Sequence, residues 1–180
     1  RKYGSTGPAG GPEIAILNEL GEPQPAGTAG EVGIRGRNVA TGYVVPAEAN
    51  HTAFTNGWFR TGDEGVMDAG GYLTLTGRLK ELINSGGEKI SPAEVDAALM
   101  QHPAVTQAVT FGVKCEIRGE RVYSAVVLQG DATESGLKHF ARERLAAFKT
   151  PSKVLIVLEI PKGPTGKMQR AGMAKILGLE

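Results

Sequence analysis

Gly77-Arg78-Leu79-Lys80-Glu81-Leu82-Ile83, running on through Ser85-Gly86-Gly87-Glu88-Lys89-Ile90-Ser91-Pro92-Ala93-Glu94, separates two kinds of sequence. Upstream, short β-rich runs alternate with glycine and proline: Glu13–Leu17, Glu31–Arg35 and Tyr72–Thr76. Their period-two pairs, Ile14/Ile16, Val32/Ile34 and Leu73/Leu75, put one face of each strand on a core. No long amphipathic helix is available there to cover that face, which predicts a small, incomplete β-barrel or sheet over residues 1–77. Downstream, Ser91-Pro92-Ala93-Glu94 has the form of a capping box with proline at the first helical position, opening a helix that carries Val95 and Leu99 on one side. That helix is expected to stop before His102-Pro103. Strand-like runs follow at 105–113 and 122–128. Asp131-Ala132-Thr133-Glu134 should then cap a helix placing Leu137, Phe140, Ala141, Leu145 and Phe148 on one face. A strand over 153–158 and a short helix from about Arg170 complete residues 78–180 as a small α+β domain, a mixed sheet flanked by helices.

Composition narrows the class. The 180 residues are 41% apolar and carry 20 basic against 19 acidic side chains, a formal charge of +1. No broad basic surface is implied, so neither nucleic acid nor a membrane is an expected partner. The longest apolar run, Val154 to Leu158, is far short of the roughly 20 residues a membrane span needs. The single cysteine, Cys115, has no intrachain partner, and no signal-like segment opens the sequence; a reducing, cytoplasmic setting is expected. His51, His102 and His139 show no ligand-like spacing to one another or to Cys115, so no metal cluster is expected. Trp58 reads as a packing residue, and Thr165-Gly166-Lys167 lacks the flanking residues of a phosphate-cradling loop.

Three segments in order carry a stronger signal: Gly57-Trp58-Phe59-Arg60-Thr61-Gly62-Asp63, the stretch from Gly77 to Asp96, and Pro164-Thr165-Gly166-Lys167-Met168-Gln169-Arg170. Together they resemble the C-terminal motifs of the adenylate-forming superfamily, which includes acyl-CoA synthetases, coumarate-CoA ligases, luciferases and nonribosomal adenylation domains. The likeness extends over essentially the whole chain. Pro46–Asn50, Lys80–Pro92 and Leu145–Lys149 look most like the branch of oxalate-CoA ligases and peroxisomal CoA synthetases. Coumarate-CoA ligases usually carry lysines where this chain has Asn84 and Gly86. The chain departs from the common pattern at Lys114-Cys115, where Pro-Asp is usual.

The resemblance implies ATP, Mg2+ and CoA as cofactors and a carboxylic acid as substrate, converted to an acyl-adenylate and then to a thioester. Asp63 matches the aspartate that accepts hydrogen bonds from both ribose hydroxyls, work suited to a carboxylate with two acceptor oxygens. Arg78 matches the arginine at the ribose and phosphates. Lys80 stands at the hinge about which the C-terminal lid swings between half-reactions, and Gly86-Gly87 at the turn lining the pantetheine channel. Lys167 matches the catalytic lysine, whose ammonium offsets charge gathering on the α-phosphate during adenylation. Read without the motifs, Asp63 is a turn residue, Arg78 and Lys167 are solvated charges, and Gly86-Gly87 are a hairpin turn.

The phosphate loop and acid pocket that precede these motifs in the family are missing from the sequence, as is the rest of the large N-terminal domain. Residues 1–77 are therefore expected to be that domain's closing β subdomain, residues 78–180 the mobile lid, and this fragment alone inactive. Two other readings stay open: an adenylation domain delivering to a carrier protein, and a non-catalytic nucleotide-binding or docking module.

Overall fold

The computed structural model describes residues 2–44, 46–163, 166 and 168–179. Two compact units divide the chain, Arg1–Lys80 and Glu81–Glu180. The division lies three residues beyond the expected 77/78 boundary because the strand that ends the first unit pairs through Arg78, opposite Asp63, and a 3-10 turn follows over Leu79–Glu81.

The first unit is one antiparallel sheet. Strands β1 (Glu13–Leu17) and β2 (Ala29–Arg35) pair in register, and β2 continues onto β4 (Trp58–Met67). A helical turn, α1 (Asn50–Ala53), leads into the two-residue β3 (Phe54–Thr55), which pairs with the start of β4, while β5 (Leu73–Arg78) pairs with its end. Strands β1, β2 and β5 are short and half covered, as their alternation predicts; β4 is longer, at ten residues. Ile16, Val32 and Leu73 make a small core, with Ile14, Ile34 and Met67 packed on it. Trp58 is 5% exposed beneath the Arg35 guanidinium, 4.4 Å from its ring, so it packs as expected.

The second unit is the expected α+β arrangement. A hairpin, β6 (Ile83–Ser85) and β7 (Glu88–Ile90), precedes α2 (Pro92–Leu99); the long hairpin β8 (Val105–Cys115) and β9 (Gly119–Leu128) follows, then α3 (Glu134–Arg142), β10 (Lys153–Ile156) and α4 (Met173–Ile176). The sheet is mixed, since β10 runs parallel to β9 while β8 and β6 run antiparallel to it. Period-two alternation splits the β8–β9 hairpin between two cores. Ala108, Val122 and Val126 join Val95 and Leu99 of α2 and Leu137 and Ala141 of α3, whereas Val109, Phe111 and Ala125 join Met173 and Ala174 of α4. Thr110 and Ser124 are fully buried between the strands and satisfy each other at 2.7 Å.

Three local expectations are corrected. Ser91 is the N-cap of α2 but makes no side-chain cap bond, and Glu94 turns away to Lys149 Nζ at 2.7 Å. The cap of α3 is Thr133, whose hydroxyl accepts from the Gly136 N–H at 3.1 Å, rather than Asp131. That helix stops at Arg142 instead of reaching Phe148; the chain tightens into a 3-10 turn over Ala147–Lys149 ahead of the buried Pro151.

Candidate functional site

Asp63 stands on β4 at a break in the sheet. The β2–β4 register runs Glu31↔Glu64 and then Gly33↔Arg60, so Thr61, Gly62 and Asp63 face the single residue Val32. Such a bulge takes backbone groups out of the ladder and re-aims the side chain beside it. Side chains replace the lost bonds. Thr61 Oγ1 donates to the Val32 carbonyl at 2.8 Å and accepts from the Asp63 N–H at 3.1 Å, while the Gly62 N–H donates to Glu31 Oε1 at 2.9 Å. Gly62 has φ +74°, a left-handed value suited to glycine.

Arg78 is the cross-strand partner of Asp63, and its Nε lies 3.0 Å from Asp63 Oδ1. The pair is exposed enough, with Arg78 62% open, that the bridge itself contributes little to stability. Among the described residues no hydrogen bond or ion pair engages Asp63 Oδ2. Beside the pair is a cavity of about 560 Å³ within the first unit, lined by Glu31, Arg60, Thr61, Gly62, Arg78 and Lys80 and closed on one side by Tyr43 and Phe59. The expected nucleotide residues Asp63 and Arg78 and the hinge residue Lys80 therefore lie together, Lys80 exposed in the 3-10 turn just after β5. Glu31 went unnoticed in the sequence because it sits in an ordinary alternating strand; its one signal was a carboxylate between Gly30 and the apolar Val32.

In the second unit Gly86 and Gly87 form the two-residue turn between β6 and β7, with φ values of +64° and +90°. Both angles match the primed hairpin turn that favours glycine. The Gly86 N–H donates to the Arg118 carbonyl at 2.9 Å, and a cavity of about 330 Å³ nearby is bounded by Ser85, Arg118, Arg121, Phe148, Thr150 and Ser152. At the neighbouring β8–β9 turn, N–H groups of Arg118 and Ile117 lower the Cys115 thiol below its ordinary pKa, with Arg121 adding to the effect. Lys167, the expected catalytic lysine, lies outside the described residues, as do Pro164 and Thr165. Around them Lys162 and Met168 form a β-bridge and the Gly166 N–H donates to the Gly163 carbonyl at 2.9 Å. Arg170, the last residue of that motif, is a fork. Its Nε donates to Glu81 at 2.9 Å and its Nη1 to Asp96 at 2.7 Å. Burial pushes the Asp96 carboxyl above its ordinary pKa, against the pull of the Arg170 charge.

Residues 94–167 match the AMP-binding enzyme C-terminal domain. The second unit belongs to that family. Beyond the AMP-binding C-terminal domain itself, likeness to known proteins covers nearly the whole chain. An oxalate-CoA ligase of Arabidopsis thaliana is 52% identical over 176 residues, 97% of this chain and 34% of that protein. An oxalate-CoA ligase of Saccharomyces cerevisiae is 46% identical over 179 residues, 97% of this chain and 33% of that protein. The crystal structure of ATP-bound MatB from Rhodopseudomonas palustris superposes with a TM-score of 0.89 at 31% identity, covering 96% of this chain and 35% of that one. The o-succinylbenzoate CoA synthetase of Bacillus subtilis, in complex with its acyl-adenylate intermediate, gives 0.86 at 36% identity over 94% of this chain and 35% of that one. The chain thus spans about a third of the length of these relatives, and the likeness extends through the β unit as well as the AMP-binding C-terminal domain.

Proposed function

We propose that the protein containing this chain is an AMP-forming acid-CoA ligase, in which ATP activates a carboxylic acid as its adenylate and the CoA thiol then displaces AMP. The observation that carries the reading is the Asp63–Arg78 pair beside a cleft, on a backbone bulged to present Asp63, in a chain about half identical to CoA ligases over 97% of its length. Asp63 Oδ2 is a suitable acceptor for a ribose hydroxyl, and Arg78, at 62% exposure, can turn to a phosphate. Mg2+ accompanies the nucleotide in this proposal.

Residues 78–180 act in this proposal as the lid and Lys80 as its hinge: the residue is exposed and unburdened by core packing, so its backbone can rotate without breaking a core. Lys167 is the catalytic cation of adenylation, and Gly86-Gly87 border the thiol path, near two arginines suited to the phosphates of CoA. A reducing, cytoplasmic setting is part of the proposal; no described helix is long and apolar enough to cross a membrane. Oxalate, the acid in the names of the Arabidopsis and yeast relatives, is the first substrate to test.

The test is made on the two half-reactions of the full-length protein. Lys167→Ala should slow ATP–pyrophosphate exchange about a hundredfold or more and leave thioester formation from supplied acyl-adenylate nearly unchanged. Equal slowing of both steps would sink the assignment of Lys167 to adenylation. The 180-residue chain alone should show no exchange, since Asp63 and Lys167 engage only part of a nucleotide; detectable exchange would contradict the two-part site.

A further inference from the structure

We propose that Glu31 is a positioning residue for nucleotide recognition: its buried carboxylate, braced by Arg60, holds the Gly62 amide and so aims Asp63. The inference rests on the reading of Asp63 given above. Glu31 is 7% exposed and is engaged from two sides, by Arg60 Nε at 2.6 Å on Oε2 and by the Gly62 N–H at 2.9 Å on Oε1.

A ladder fixes a strand residue through backbone bonds on either side, but Thr61, Gly62 and Asp63 face only Val32 and lack that support from β2. On the other edge Asp63 pairs with Arg78 and Glu64 with Gly77, and the β4–β5 register shifts directly after, between Glu64 and Gly65. On the β2 side, where the ladder is broken, the backbone at Asp63 is held by the side-chain bonds of Glu31 and Thr61. A carboxylate suits the position because both of its oxygens accept, whereas an amide would turn an N–H toward either the guanidinium or the Gly62 N–H. Alternation along β2 sends Val32 into the small core and Glu31 to the opposite face, where it lines the 560 Å³ cavity with Arg60, Thr61 and Gly62. An ionised side chain buried on that face serves no apolar packing, and its desolvation must be offset by the bonds it makes. What those bonds hold in place is the segment carrying Asp63.

The experiment measures binding of AMP and of Mg2+-ATP by calorimetry to the full-length protein, with melting temperature followed in parallel. Glu31→Gln should weaken AMP binding about tenfold, and Asp63→Asn at least as much. Acting through Asp63, Glu31→Gln should add nothing when combined with Asp63→Asn, a non-additivity that a purely structural residue would not show. Full additivity, or AMP affinity within twofold of the parent in folded Glu31→Gln protein, overturns the inference while Asp63→Asn still weakens binding. If Asp63→Asn itself leaves AMP affinity unchanged, it is the nucleotide reading of Asp63 that fails. Should Glu31→Gln not fold, Arg60→Lys keeps a compensating charge and loosens the brace; a loss of about threefold, again non-additive with Asp63→Asn, supports the role. Unchanged or additive affinity in that variant overturns it.

Discussion

The two units solve the problem of burial differently. Among the described residues the first buries five apolar side chains, Ile16, Leu17, Val32, Trp58 and Leu73, while the second buries nineteen, eighteen of them in two cores on either side of its sheet. With little core, the first unit holds the segment around Asp63 by polar means: a bulge, a buried carboxylate, a threonine hydroxyl and a cross-strand ion pair. The second places its turns and motif flanks on a frame that is already rigid. A site on a sparse sheet is precise only as far as its hydrogen bonds are intact, whereas a site on a packed unit tolerates the loss of one.

The largest expected difference is in core truncation. Leu99 is fully buried between α2 and the sheet, so Leu99→Ala should lower stability by about 3–4 kcal/mol; Leu73→Ala, in a core of only three buried side chains, should cost about 2 kcal/mol. Urea unfolding of the 180-residue chain, followed by amide exchange in each unit, should show faster exchange in the first. Equal protection in the two units would break the comparison.

Next in size is the fork at Arg170. Arg170→Met leaves Asp96 with 13% exposure and no cation, which should cost about 2–3 kcal/mol in the second unit. Asp96→Asn combined with it should recover most of that loss. A single substitution worth less than 0.5 kcal/mol would show that water already satisfies the carboxylate.

Acid should separate the units further. Asp96 has its pKa raised, chiefly by burial, so the folded state holds its proton more tightly than the unfolded chain does. Its contribution to stability is fully present below the unfolded pKa and is lost as pH rises through the folded value. Glu13 and Asp68 behave oppositely: hydrogen bonds from Arg35 and from Lys2 respectively lower their pKa values, and the stability they add is lost as pH falls through those lowered values. Titration downward from about pH 5 should therefore weaken the first unit while Asp96 works in favour of the second. A first unit that outlasts the second at low pH would reverse the assignment.

Much of this contrast was legible in the sequence. Glu13–Leu17 is the strand its alternation implies, and Val95 and Leu99 are core residues of a helix that starts where Pro92 allows. β4 was not, because Arg60-Thr61-Gly62-Asp63-Glu64-Gly65 carries two glycines and no apolar alternation, the marks of a turn. It is a strand because β2, β3 and β5 pair with it and because Glu31 and Thr61 supply bonds where its bulge breaks the ladder, tertiary facts no local pattern encodes. The over-long α3 had the converse cause: Leu145 does pack on the first core, but it does so from a turn rather than from the helix. Asp63, Arg78 and Lys80 could be singled out from motif likeness, and the fold puts Arg78 and Lys80 in the lining of one cleft with Asp63 paired to Arg78 beside it; Glu31 and the Arg170 fork required coordinates.

The smallest expected effect sharpens the comparison most, because it asks whether a residue on the rigid unit is there for the fold or for a partner. Gly86 and Gly87 both have positive φ, which by itself explains glycine at each position. Asparagine tolerates this region and is favoured at the first central position of such a turn, so Gly86→Asn should change stability by less than about 0.5 kcal/mol and Gly87→Asn by about 1. Neither side chain meets a steric obstacle within the unit, since a Cβ on Gly86 would find only Arg118 Nη1 at 3.9 Å and one on Gly87 nothing within 4 Å. Any further penalty must come from something that approaches the turn during the reaction. If these glycines border the thiol path, Gly87→Asn in the full-length protein should slow thioester formation from acyl-adenylate severalfold while pyrophosphate exchange stays within twofold. A variant that melts like the parent and forms the thioester at the parental rate would leave the turn with a purely conformational role.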